Sequence, residues 1–141
     1  MIGILLLFHL PAICQRDKSI ADADSVYRNP EIPVLFITDD CGKIEDADYR
    51  QCSEKQFIKA LFKIPYGNIT WEESPENTKL MISFIIEKDG SVSSVKVLQS
   101  VDKLIDDKYM EFLKNSNWIA AQNNGITVRT EYFLPVQLDS Q

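Results

Sequence analysis

The most regular stretch of the chain is one in which Leu80, Ile82, Phe84 and Ile86 alternate with Met81, Ser83, Ile85 and Glu87. A period of two predicts a β-strand. Lys88-Asp89-Gly90 follows as a hairpin turn in which Gly90 can take a positive φ, and Val92, Val95, Val97 and Leu98 carry the returning strand. Both faces of the first strand are largely apolar, so helices should meet one face and the other should be partly covered. Downstream, Ser100 or Asp102 caps a helix with the apolar stripe Leu104, Ile105, Tyr109, Phe112 and Leu113, ending near Asn115 and Asn117. Trp118 stands at its exit, where a large aromatic serves best as a core plug. Asn123-Asn124-Gly125 is a turn, and Val128, Thr130, Tyr132, Leu134, Val136 and Leu138 then alternate with Arg129, Glu131, Phe133, Pro135 and Gln137 in a long last strand. Pro135 has no N–H and points to a sheet edge.

Earlier in the chain the pattern is helical. Ser53-Glu54-Lys55-Gln56 has the form of a capping box, and Phe57, Ile58, Leu61 and Phe62 recur at one-sided helical spacing until Pro65 stops them. Val34 to Thr38 is a short apolar segment that adds a strand or packs on the domain, and residues 66–77 form a connecting loop carrying Trp71. Helix, hairpin, helix and strand in that order predict an α+β domain: a small antiparallel sheet of about three strands with two helices packed on one face.

The first residues follow neither period. Ile2 to Phe8, then His9 to Cys14, are roughly 13 apolar residues, short of the ~20 that a membrane-spanning helix needs. Residues 1–14 fit a secretory signal cleaved after Cys14, with Ala12 and Cys14 as the small residues at −3 and −1. No Lys or Arg lies near Met1, which a start set further upstream would explain. An acylated Cys14 and an uncleaved anchor are the alternatives, although bulky Ile13 precedes the cysteine where lipidation favours a small residue. Residues 15–33 read as a polar lead, 34–138 as the domain and 139–141 as a tail.

Cysteine usage agrees with export. Without Cys14, Cys41 and Cys52 remain, and in an oxidising compartment they would pair, closing a loop of about a dozen residues worth roughly 2 to 3 kcal/mol. Their spacing is unlike that of a catalytic dithiol. Asp39, Asp40, Asp46 and Asp48 offer oxygen donors in this loop, but the EF-hand alternation ending in Glu is missing, so a solvated acidic loop is expected and no bound metal.

Charge and chemistry narrow the function. Of 141 residues, 15 are Lys or Arg and 21 Asp or Glu, for a net charge of −6, which argues against nucleic acid as a partner. His9 is the single histidine and falls in the signal-like run, which removes Ser-His-Asp triads, Cys-His dyads and nearly all zinc sites from the mature chain. Glu72, Glu73, Glu76, Asp106 and Asp107 are abundant carboxylates with nothing to gather two of them in a pocket. Phosphate loops and nucleophile elbows are missing as well, so neither an enzyme nor a cofactor is expected.

Residues 83–100, Ser-Phe-Ile-Ile-Glu-Lys-Asp-Gly-Ser-Val-Ser-Ser-Val-Lys-Val-Leu-Gln-Ser, resemble the central hairpin of the TonB carboxy-terminal domain family. A Phe in the first strand, Asp-Gly at the turn, a Val two residues after the Gly and another three later, then Val-Leu, all stand in the family's order. The acidic helix that follows, Trp118, Gly125, Val128 and Leu134-Pro135-Val136 resemble its ending, and Cys41, Cys52 and the Ile64-Pro65 break are similar to an envelope variant of it. Ile119-Ala120 stands after Trp118 where the family commonly places a Pro. The likeness spans roughly residues 34–138, most strongly 80–138.

The resemblance implies a periplasmic binding module that pairs a strand with the short box segment of an outer-membrane receptor. With no long Pro-rich spacer between Gln15 and Phe57, the binding fold is implied rather than the force-transmitting role. The last strand is the contact surface that physical chemistry favours, because an edge presents unpaired N–H and C=O groups that an extended peptide can satisfy. The expected partner-binding residues are Val128, Arg129, Thr130, Glu131, Tyr132 and Phe133, with Arg129, Glu131 and Phe133 on the more exposed face. Three readings of that strand stay open: a receptor site, plain core sheet, or a homodimer edge. A lipid-anchored or self-associating adaptor would share the same fold.

Overall fold

The computed structural model describes residues 25–65 and 78–138. The expectations placed on the signal-like run with His9 and Cys14, on most of the polar lead, on the loop carrying Trp71, Glu72, Glu73 and Glu76, and on the tail lie outside those residues. The elements are β1 (Val26–Tyr27), β2 (Leu35–Phe36), α1 (Tyr49–Phe62), β3 (Lys79–Ile86), β4 (Val92–Gln99), α2 (Lys103–Lys114), β5 (Trp118–Ile119), β6 (Ala121–Asn123) and β7 (Ile126–Gln137).

The expected hairpin is β3 and β4, and the expected last strand is β7, which lies antiparallel to β3 from Lys79↔Gln137 to Ile86↔Thr130 without a register shift. The sheet is larger than the three strands that periodicity predicts. Its order is β1-β7-β3-β4 with β6 also on β7, five strands in all, and β1 runs parallel to β7. Strands of two or three residues are too short to show a period, so β1 was hidden in the polar lead and β6 beside the Asn-Gly turn. A separate antiparallel pair, β2 with β5, matches Leu35 to Ile119 and Phe36 to Trp118.

Alternation sets the core. Leu80, Ile82, Phe84 and Ile86 are fully buried and pack with Phe57, Leu61, Ile105, Tyr109, Leu113 and Trp118 in one cluster. The two helices cover that face. α2 begins as expected at Asp102, whose carboxylate accepts from the Leu104 N–H at 2.8 Å. Leu104 itself is exposed, and Asp106, expected at the surface, is buried, where it accepts from the Ser100 hydroxyl and from the Val101 N–H. Its carboxylate thereby ties the end of β4 to the helix.

α1 departs from its expected start. It begins at Tyr49, four residues before Ser53, and its buried stripe is Tyr49, Ser53, Phe57 and Leu61, while Ile58 and Phe62 face solvent. Ser53 cannot cap because its hydroxyl lies inside the helix and donates to the Phe36 carbonyl at 2.7 Å, fastening α1 to β2. Cys41 and Cys52 are joined by the expected disulfide, which holds the acidic loop against the first turn of this helix.

Gly90 closes the β3–β4 turn at φ +84°, as the turn chemistry requires, and also touches a distant strand. Its carbonyl accepts the Trp118 N–H at 3.0 Å, and a Cβ built on it would lie 1.9 Å from the Trp118 carbonyl oxygen. Backbone meets backbone there, so neither side can yield cheaply. Gly90→Ala is therefore expected to lower unfolding stability by about 2 to 4 kcal/mol in urea titration followed by tryptophan fluorescence.

Candidate functional site

β7 is the strand whose two edges differ. Thr130 pairs with Ile86 of β3 on one side and with Tyr27 of β1 on the other, so β1 and β3 flank β7 on opposite edges. Beyond Thr130 the β3 side stays paired to Gln137, whereas no strand among the described residues pairs with 131–137 on the outer side.

The direction of each backbone group follows from one bond. Leu138 donates its N–H to the Thr78 carbonyl at 2.8 Å, toward the β3 side. In an antiparallel ladder without a bulge successive residues alternate, so even-numbered residues of β7 point their N–H and C=O at β3. The odd-numbered residues Glu131, Phe133, Pro135 and Gln137 point theirs to the outer edge. Pro135 thus lacks its N–H where no β3 bond is lost, which explains how a proline sits beside the strand at the sheet's centre.

The six expected contact residues divide along these lines. Val128 is buried and pairs with Ala121 of β6, Arg129 pairs with Val26, and Thr130 is buried between β1 and β3. Tyr132 turns its ring into the core, 5.2 Å from Phe84 and 5.8 Å from Trp118, and burial pushes its phenol pKa up, with the Glu54 charge adding to the shift. Of the six, Glu131 and Phe133 carry outward groups that no described strand pairs: the Glu131 C=O, its N–H being engaged by the Tyr27 pairing, and both groups of Phe133. Phe133 is also an exposed large apolar side chain, on the expected solvent-facing side of the strand.

Two residues that hold side chains of β7, one from each flank, escaped the sequence reading. Glu87 lies just past the end of β3 and holds Arg129 by two hydrogen bonds, Nε to Oε2 at 2.7 Å and an Nη2 to Oε1 at 3.0 Å. Arg28 crosses from the lead, its Nε 3.0 Å from Glu131 Oε2 and its guanidinium 5.5 Å from the centre of the Phe133 ring. Neither is marked by spacing, because each meets its partner through the tertiary fold.

The open β4 edge is built differently. Ser94 takes φ +49° and the β3–β4 register shifts between Ser83 and Ile85, a bulge that spoils a regular pairing template. Among the described residues no three His, Cys, Asp or Glu side chains gather as a metal-ligand set.

Residues 74–137, from just before β3 to the end of β7, match the family model for the Gram-negative bacterial TonB protein C-terminal. The chain carries a TonB carboxy-terminal domain. The match takes in β3, β4, α2 and β7, and the strand edge described above is the last strand of that domain. β1, β2, the disulfide and α1 precede the matched residues. No curated protein matches the chain. The family is a periplasmic, non-catalytic domain of Gram-negative envelope transport, and its members interact with envelope proteins such as outer-membrane receptors.

The Glu87–Arg129 pair gives the region a pH response. Hydrogen bonds from Arg129 and then from Ser93 hold the Glu87 carboxyl below its ordinary value of 4.5. A carboxyl lowered in the folded state stabilises it above the unfolded value and loses that contribution as pH falls through the folded one. At neutral pH, Glu87→Gln should cost about 1 kcal/mol, and the gap from the native protein should close as the pH is lowered to about 3, read by urea titration.

Proposed function

We propose that this domain is a periplasmic binding module that pairs the outer edge of β7 with an extended segment of an outer-membrane receptor in TonB-linked transport. The observation that carries the reading is the set of outward groups that follow the β1 pairing, the Glu131 C=O and the N–H and C=O of Phe133 and Gln137, on an edge that no described strand covers further along. An incoming strand satisfies those groups by β-augmentation, and the unbroken β3–β7 register behind them keeps the template flat and fixed. Membership of the TonB carboxy-terminal family supports an envelope partner, and the bulged β4 edge favours β7 as the pairing side. Of the six expected contact residues, Glu131 and Phe133 are the ones a partner strand meets directly. Val128, Thr130 and Tyr132 build the strand from within, and Arg129 is already paired on that edge by β1.

The test is sedimentation of the protein with vesicles of the native outer membrane, against protein-free vesicles of the extracted lipids. Phe133→Pro removes one outward donor without touching a β3 bond, and Phe133→Ala keeps that donor. With both variants folded by circular dichroism, Phe133→Pro should weaken vesicle binding at least tenfold, more than Phe133→Ala does. Equal binding by Phe133→Pro and the native protein would refute strand pairing at this edge. Dimerisation that Phe133→Pro abolishes, with no vesicle binding, would assign the edge to a second copy of the chain.

A further inference from the structure

Among the described residues no strand pairs with the outer edge of β7 beyond Glu131, whereas the part just before it is occupied. Val26 and Tyr27 pair there, parallel to β7, opposite Arg129 and Thr130. Arg28 then reaches further along the same edge to Glu131 and to the ring of Phe133, the two residues whose outward backbone groups a partner strand would use.

We propose that Val26–Arg28 is a built-in arm that occupies the first part of the partner-pairing edge and that an incoming strand displaces in order to pair along β7. The proposal rests on the strand-pairing reading above and supplies its regulation.

The arm is held by a short ladder and securely tethered. Its ladder is two residues long, and the Arg28 side chain of its ion pair is 70% exposed, so solvent screens much of the attraction. Immediately after it the chain is fixed. Ile32 and Gln122 exchange both backbone hydrogen bonds, at 3.0 and 2.9 Å. Glu31 donates its N–H to Asn123 Oδ1 at 3.3 Å and accepts the Asn124 N–H at 3.1 Å. Asn29 and Pro30, between the weak part and the fixed part, are the place for a hinge. A displaced arm would therefore stay beside its edge and return when the partner leaves.

The closed form also carries a defect. Thr130 is buried, and its hydroxyl has no hydrogen-bond partner. Tyr27 lies opposite it across the β1 pairing. A partner strand thus competes with a ladder of two residues. Apparent affinity falls in proportion to the fraction of molecules with the edge free.

The measurement uses the full chain and two readouts. Hydrogen exchange of the Tyr27 amide, the β1 donor that faces β7, reports the arm alone, and sedimentation with native outer-membrane vesicles reports the edge. Arg28→Ala should speed exchange at the Tyr27 amide and tighten vesicle binding about fivefold. Tyr27→Pro, which takes from the arm the N–H that faces β7, is a second opening variant, read at the Glu131 amide that pairs with the Tyr27 carbonyl. Faster arm exchange with unchanged vesicle affinity, while Phe133→Pro still abolishes binding, would overturn the arm proposal and leave strand pairing intact. Absence of vesicle binding in the native protein and every variant would overturn strand pairing and the arm proposal with it.

Discussion

Trp118 is the residue on which the packing converges. Its ring lies 4.9 Å from Phe57 of α1, 5.4 Å from Phe36 of β2, 6.0 Å from Phe84 of β3 and 5.8 Å from Tyr132 of β7, centre to centre. Aromatic rings at such separations and tilts add to the area they bury. The indole N–H, which burial would otherwise strand, donates to the Ser116 hydroxyl at 2.9 Å, and the Trp118 backbone N–H closes on Gly90. One residue, by its ring and its backbone, therefore fixes the exit of α2, the turn of the main hairpin, the helix that precedes the hairpin and the last strand in a single arrangement. The lead obeys the same constraint, because the pairing of β2 with β5 and the Ser53 hydroxyl of α1 together hold Phe36 in this cluster.

With the core face settled, β7 has its place. Even-numbered side chains enter the cluster or the layer around it, and the same alternation sends the odd-numbered backbone groups away from β3. Side-chain burial and backbone availability are thus two results of one register. Tyr132 points its ring into the core beside Phe84 and Trp118. Glu131 and Phe133 are left to the edge, with Pro135 beyond them carrying no donor to lose on that side.

The long periodic elements were legible beforehand. The β3–β4 hairpin, Asp102 at the start of α2, the disulfide and the alternation of β7 each leave a local signal in residue type or spacing. Ser53 shows where such a signal misleads. A serine three residues before a glutamine has the form of a cap, yet its hydroxyl is used inside α1 on a carbonyl of β2, a partner that local sequence does not display. Leu104 and Phe62 mislead likewise, since helical spacing gives several overlapping stripes and only the packed neighbour selects one. Asp106 is the converse, a charged residue that local reading places in solvent and that β4 draws inward.

The sequence by itself determined that this is an α+β domain of the TonB carboxy-terminal type, with a hairpin at its centre and a last strand fit for an edge. Period, turn chemistry and composition act within a few residues, and they carry that much. Only the tertiary structure decided which edge of that strand is free, which residues face it and what already lies there. Val26 and Arg129, or Arg28 and Glu131, are about a hundred residues apart in the chain and touch only once the sheet has closed. A two-residue strand has no period of its own, and its partner alone makes it one.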